Sequence, residues 1–220
     1  MKFLFKYASL GRPEWFKQTL DKYFFMLSGR HEYRFLITLN KNDITMNNKD
    51  IRIFMDGYAH LKYKYGNHQT KIEAINADME DEDFDILFVV SDDMIPIVPS
   101  FDDVIVKLME EHFPNMDGAL HFHDGCCGKD VTITLSIMGK KMYNYFGYIY
   151  HPEYRSFYCD LEFTDEVRRL EKVVYSPEII VKHEYKGWGG ADATYNRNSK
   201  LGRPDEVTYN RRKKLGFPRE

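Results

Sequence analysis

The run Asp85-Ile86-Leu87-Phe88-Val89-Val90 constrains this chain more than any other stretch. It is the most apolar segment of the sequence. Unbroken apolarity over so short a length suits a strand covered on both faces of a sheet. Such a strand needs helices above and below it, and the preceding segments supply them. Residues 3–8 read as a first strand, and Pro13 stands where a helix accepts proline, at its first position. Phe16, Leu20, Tyr23, Phe24 and Leu27 then recur at spacings of three and four, the stripe of an amphipathic helix. Residues 33–39 give a second strand, 51–58 a helix and 61–65 a third strand. Asn67 is the expected cap of a helix carrying Ile72, Ile75 and Met79 on one face. Downstream, Ser100-Phe101-Asp102-Asp103 has the form of a capping box before the stripe Val104, Ile105, Leu108 and Met109. Residues 118–122 and 131–138 read as strands, 164–172 as a helix and 178–181 as a last strand. The alternation predicts an α/β fold with a mixed, mostly parallel sheet flanked by helices.

With 220 residues, 43% of them hydrophobic and 30% charged, the chain suits one globular domain. It has no internal repeat or low-complexity linker. No apolar run approaches the roughly 20 residues of a membrane span. Met1-Lys2-Phe3-Leu4-Phe5-Lys6 turns polar too soon for a signal peptide and reads as the first strand. The cysteines are Cys126, Cys127 and Cys159, an odd count with an adjacent pair and no zinc spacing. That argues against a disulfide framework and for a reducing, cytoplasmic setting. Residues 196–220 carry eight Lys/Arg against three acids, a tail of +5 on a body of −8. Such a tail is either a solvated face or a hand for something anionic.

In open α/β sheets ligands bind beyond the C-terminal ends of the strands, so the residues after each strand matter most. The first strand is followed by Ser9-Leu10-Gly11-Arg12-Pro13, where glycine permits close backbone approach and a helix begins. The second is followed by Asn40-Lys41-Asn42-Asp43, and the most buried one by Ser91-Asp92-Asp93. Adjacent acids raise each other's cost of ionisation, and a divalent ion removes that cost. Hard Mn²⁺ or Mg²⁺ suits carboxylate oxygen and is commonly shared with substrate phosphates. The last predicted strand leads to Lys182-His183-Glu184, and Tyr158-Cys159-Asp160-Leu161-Glu162-Phe163 sets two acids among aromatics. A carboxylate in such surroundings can act as a general base.

In this order, these segments resemble the family 2-like glycosyltransferases of the GT-A fold, over about residues 3–190. The resemblance implies a Rossmann-like GT-A domain in residues 1–190 and a basic tail, a possible lid, in 191–220. It implies a donor site drawn from Ser9, Gly11, Arg12, Asp43, Lys71, Asn76 and Asp92, with Asp43 at the nucleobase. Asp92 and Asp93 match the metal motif called DxD, and His183 stands where relatives add a metal ligand. Asp160 or Glu162 holds the place of the base. Two departures stand out. Lys41-Asn42-Asp43 replaces the usual acid pair after the second strand, and Asp160 and Glu162 do not form the common Glu-Asp pair.

The implied reaction moves a sugar from a nucleotide-diphosphate donor, a UDP-sugar being favoured, to an acceptor hydroxyl with inversion. The acceptor is open between a glycan and modified DNA. Small relatives acting on hydroxymethylated bases occur in phages, which would place the chain in a host cytoplasm. A non-enzymatic alternative uses the basic tail, with Tyr195 and Tyr209 among its cations, to bind single-stranded nucleic acid. Gly187, Gly189 and Gly190 around Trp188 read as a hinge beyond which the chain orders only over bound donor.

Overall fold

The computed structural model describes residues 1–184 and 193–219; the proposed hinge at Gly187 to Gly190 and the side chain of Tyr195 lie outside the described residues. Its centre is a seven-stranded sheet. In chain order the strands are β1 (Lys2–Ala8), β2 (Glu32–Asn40), β3 (Leu61–Gly66), β4 (Ile86–Val90), β6 (Ala119–Phe122), β7 (Ile137–Gly139) and β8 (Val173–Ser176). Their spatial order is β3-β2-β1-β4-β7-β6-β8. β3, β2, β1 and β4 run parallel, β7 is antiparallel to both neighbours, and β6 and β8 are parallel to each other. The sheet is therefore mixed and mostly parallel, as expected. A separate two-stranded ribbon joins β5 (Met94–Pro96) to β9 (Val181–His183), with Met94 paired to His183.

Side-chain alternation along the strands divides the interior in two. Phe3, Phe5 and Tyr7 of β1, with Phe35, Ile37 and Phe88, face α1 (Pro13–Met26), α2 (Lys49–Asp56) and α4 (Phe101–His112). Leu4, Leu36, Leu87 and Val89 point the other way. They meet α3 (Lys71–Asn76), α5 (Lys140–Phe146), α6 (Cys159–Arg169) and α8 (Gly202–Lys214). β4 is buried along its whole length because both cores meet on it. Lys6 also points into the second interior. It is wholly buried, its Nζ donates to Thr38 Oγ1 at 2.6 Å and to the Ala77 carbonyl at 2.8 Å, and burial pulls its pKa down to about 8.

Several local expectations change. Thr70, not Asn67, caps α3: its hydroxyl accepts from Glu73 N, while Glu73 Oε2 accepts from Gln69 N. The box expected at Ser100 does not form. Ser100 is left-handed, with φ 58°, and the neighbouring acids turn elsewhere: Asp102 accepts from Ser28 N and Oγ, and Asp103 pairs with Arg30 and His31. Of the strand expected over 131–138 only its end pairs, as β7. α6 starts at Cys159, five residues before Thr164, so Asp160 and Glu162 lie in its first turn.

The basic tail is helical where described: α7 (Ala193–Ser199) is followed by α8. α8 is not a solvated arm. Arg212 is fully buried, with Nε and Nη2 on Glu162 at 2.8 and 2.9 Å, and Tyr209 is buried beside it. Lysine and arginine are rarely buried unless paired, and here the pairing is what permits it. None of the three cysteines is joined in a disulfide among the described residues. Among the described residues no helix is long and apolar enough to cross a membrane.

Candidate active site

The C-terminal ends of β1, β2 and β4 converge on one cavity. Ser9, Arg12, Thr38, Asn40, Lys71, Asp92, Asp93 and, from the C-terminal region, Thr194 and Arg197 are among the residues that line it. Parallel strands end on the same edge of the sheet, which is why segments so far apart in sequence meet here.

The two adjacent acids have different surroundings. The Asp92 carboxylate is turned inward and is 4% exposed. It accepts from Tyr7 Oη at 2.8 Å and Ser9 Oγ at 3.1 Å, while Thr19 holds its backbone carbonyl. Burial pushes its pKa up to about 7 against the pull of those hydrogen bonds. Asp93 faces the cavity. Burial opposes its ionisation, but the hydrogen bond and charge of His183, the Ser91 hydroxyl and Lys71 more than offset this, and the carboxyl is held well below its ordinary range.

His183 reaches Asp93 because of the ribbon. β5 follows the acid pair directly, and its antiparallel pairing with β9 carries His183 alongside; Glu184 N also donates to the Asp93 carbonyl at 2.7 Å. His183 Nε2 is 3.6 Å from Asp93 Oδ1, and its Nδ1 is 3.6 Å from Asp124 Oδ2. Burial lowers the imidazole's proton affinity, but the two carboxylates more than compensate and raise it. Arg12 Nη1 is 3.8 Å from the other oxygen, Asp93 Oδ2. Each Asp93 oxygen thus has a cationic partner within 4 Å.

Asp124 is absent from the sequence-derived set, although the signal was available: it lies just past β6, in His123-Asp124-Gly125, where the strand-end rule applies. Its carboxylate is fully buried and accepts from the backbone of Cys126 and Cys127 and from Thr134 Oγ1.

Other expected residues have more local duties. Asp43 accepts from Gly11 N at 2.7 Å and from Thr45, so it ties the loop after β2 to the loop after β1. Gly11 is left-handed, with φ 70°, and a Cβ there would meet Thr194 Oγ1 at 3.0 Å. Asn76 spends its amide on the backbone of residues 149 and 150 and does not line the cavity. Glu162 is held in the interior by Arg212 and by Tyr154 Oη at 2.7 Å. Asp160 is half-buried at the first turn of α6, outside the cavity lining. Burial pushes its carboxyl above the ordinary range, and the charges of Lys71 and His183 offset part of that.

A second acidic group needs separating from this one. His31, Asp102 and Asp103 are the described residues whose potential metal-ligand atoms all lie within 4.8 Å of one another. They sit beside the start of β2, and their carboxylates are already used by Ser28, Arg30 and His31. Asp92, Asp93 and His183 do not close into such a group, because Asp92 is turned toward Tyr7 and Ser9.

No protein-family model matches the sequence, and no curated protein sequence does. Solved structures do match. Mannosyltransferase PcManGT from Pyrobaculum calidifontis, in complex with GDP-Man and Mn²⁺, superposes with a TM-score of 0.66 at 10% identity, covering 85% of this chain and 59% of that one. S. aureus TarS 1-349 gives 0.63 at 13% identity, covering 84% and 61%. Glucosyl-3-phosphoglycerate synthase from Mycobacterium tuberculosis, in complex with Mg²⁺ and UDP, gives 0.57 at 10% identity, covering 84% and 71%. A 4-diphosphocytidyl-2C-methyl-D-erythritol synthase from Anaerococcus prevotii also matches, at 0.52 and 12% identity. The chain spans about three-fifths of the length of the first two of these proteins. At such low identities it is the fold that is shared, and fold alone does not assign chemistry. The chain has the mixed α/β fold of the GT-A glycosyltransferases.

Proposed function

We propose that the chain transfers a glycosyl group from a nucleotide-diphosphate sugar to an acceptor hydroxyl, with a divalent ion at Asp93 and His183. The observation that carries the reading is the ribbon that brings His183 to 3.6 Å from Asp93, which stands at the end of the most buried strand and lines a cavity with Ser9, Arg12 and Lys71. The donor set suits Mn²⁺ or Mg²⁺, which are commonly held by one or two protein ligands and completed by substrate phosphates. A carboxylate that lines a cavity with the cationic side chains of Arg12, Lys71 and Arg197, and has an imidazole 3.6 Å away, is a set of that kind. Bound there, the ion would offset charge developing on the leaving diphosphate.

The chain's own residues account for the rest. Tyr7 and Ser9 hold Asp92 fixed under the cavity floor, where it steadies the loop that carries Ser9 to Arg12. Arg12, Lys71 and Arg197 supply positive charge to the diphosphate. Asp160 is the base: it accepts the acceptor's hydroxyl proton as the oxygen attacks the anomeric carbon. One base opposite one leaving group gives a single displacement with inversion. The role falls to Asp160 rather than Glu162 because Glu162 is locked in a buried ion pair. The basic tail then serves as the lid: α7 lies at the cavity through Thr194 and Arg197, and α8 anchors it. UDP-sugars remain the favoured donors. For the acceptor, a phosphodiester polymer such as modified DNA is supported by the exposed Lys200 and Arg203, which continue from Arg197 at the cavity.

The test is a thermal-shift screen of UDP-GlcNAc, UDP-glucose and GDP-mannose with and without Mn²⁺. A donor raises the melting temperature by mass action. Stabilisation that needs both sugar nucleotide and Mn²⁺, and is lost in Asp93→Ala, supports the reading. If none of the three stabilises the protein in Mn²⁺, the donor assignment fails.

A further inference from the structure

We propose that Asp205, on α8, is a positioning residue for the transfer reaction, acting through Asp160 by fixing the segment that enters α6. The inference rests on the reading of Asp160 as the base. Asp205 is 1% exposed, and its carboxylate accepts three successive backbone N–H groups: Arg155 at 3.0 Å, Ser156 at 2.8 Å and Phe157 at 2.8 Å. Three amides converging on one buried anion form a rigid nest, and a charge-assisted hydrogen bond is about twice as strong as a neutral one.

The clamped residues stand at a junction. Phe157 is followed by Tyr158, which is left-handed with φ 63° and serves as the N-cap residue of α6 without a side-chain cap. Cys159 and Asp160 come next. The Tyr158 side chain caps none of the first amides of α6, so the clamp on residues 155–157 helps to set the direction in which the helix starts. The same segment also reaches the donor side. The Arg155 carbonyl accepts from Ile72 N, beside Lys71 in the first turn of α3. One carboxylate therefore holds a peptide stretch whose two ends set Lys71, on the cavity wall, and Asp160. Two further α8 contacts lie along α6, Arg212 on Glu162 and Tyr209 Oη on Asp165 at 2.7 Å, while the Tyr209 ring packs on Tyr158 with centroids 5.7 Å apart. The Arg212 and Tyr209 hydroxyl bonds dock the helix and do not involve residues 155–157, and Tyr209→Phe keeps the ring against Tyr158.

A carboxylate that must meet a hydroxyl in line with a leaving group tolerates little displacement, and an error of about 1 Å can cost on the order of 100-fold in rate. Asp205→Asn retains one acceptor oxygen but turns an NH₂ toward at least one of the three amides, so the nest opens. Asp205→Glu keeps the charge and misplaces it by one methylene. Tyr209→Phe is the control: it weakens docking of α8 without touching residues 155–157.

The full-length variants are compared in two measurements. The first follows the Asp160 carboxyl by ¹³C NMR with a pH titration. The second follows release of UDP from UDP-GlcNAc in Mn²⁺, with donor affinity measured in parallel by calorimetry. The expected result is that Asp205→Asn and Asp205→Glu move the Asp160 resonance and its midpoint, and slow UDP release at least tenfold with donor affinity within twofold of wild type. Tyr209→Phe lowers the melting temperature and leaves both readouts in place. A folded Asp205→Asn or Asp205→Glu protein with an unchanged Asp160 signal overturns the inference even if no UDP is released by any form. Asp160→Asn is run alongside. If it releases UDP at the wild-type rate, the reading of Asp160 as base fails, and that failure is distinct from an unmoved Asp160 signal in the Asp205 variants.

Discussion

Arg212→Met removes a cation that is entirely inside the protein. Its guanidinium gives two hydrogen bonds to Glu162, at 2.8 and 2.9 Å, and one to the Pro218 carbonyl at 2.7 Å, and it pairs with Glu153 at 3.3 Å. Methionine fills most of the hydrocarbon volume but leaves Glu162, 5% exposed, as a buried anion with only Tyr154 Oη to donate to it. Breaking a buried pair from one side typically costs about 3–5 kcal/mol. The surviving Tyr154 bond argues for the lower end, about 3 kcal/mol. For a chain of this size each kcal/mol moves the melting temperature by about 2–4 °C, so the variant should melt about 6–12 °C below wild type. Calorimetric unfolding at pH 7 provides the measurement. The double variant Glu162→Gln/Arg212→Met carries no orphaned charge and should recover a large part of the loss, since replacing a whole buried pair is often near neutral. A loss under 1 kcal/mol in the single variant, or a double variant less stable than the single, would refute the view that this pair docks the C-terminal helix.

Asp93→Ala should fold normally and lose Mn²⁺-dependent binding of sugar nucleotide, read by calorimetry; full donor affinity in Mn²⁺ would remove Asp93 from the site. Asp160→Asn should lower turnover by at least 100-fold with donor affinity within twofold, because a base acts on the acceptor and not on the diphosphate; an active Asp160→Asn beside a folded, inactive Glu162→Gln would transfer the role. Arg197→Ala, an exposed position on the cavity wall, should weaken donor binding severalfold without changing the melting temperature. Lys6 supplies a pH test. Its folded pKa of about 8 lies below the unfolded value of 10.5, so the unfolded chain binds more protons between those pH values and stability rises with pH across that window. Relative to Lys6→Met, wild type should gain up to roughly 3 kcal/mol between pH 8 and 10.5 in denaturant titrations, and a flat difference would place the ammonium in contact with solvent.

Much of the scaffold was legible because it is written locally. The apolar run ending at Val90, the stripe from Phe16 to Leu27 and Pro13 each specify an element through spacing or backbone chemistry confined to a few residues. The order of the early elements then implies a parallel sheet, and the strand-end rule points to Ser9, Arg12 and Asp92-Asp93 from the sequence alone. What tertiary structure decided was which neighbours those residues keep. Asp92 and Asp93 are adjacent in sequence, yet one faces Tyr7 and Ser9 and the other His183, because successive residues leaving a strand point in opposite directions. The partnership of Asp93, His183 and Asp124 depends on the ribbon of β5 and β9, whose three-residue strands carry too short a pattern to be read from sequence. The C-terminal region shows the limit most plainly. Composition marked Arg212 as a surface cation, and only the fold, by supplying Glu162 fifty residues away, allowed a charge to be buried there.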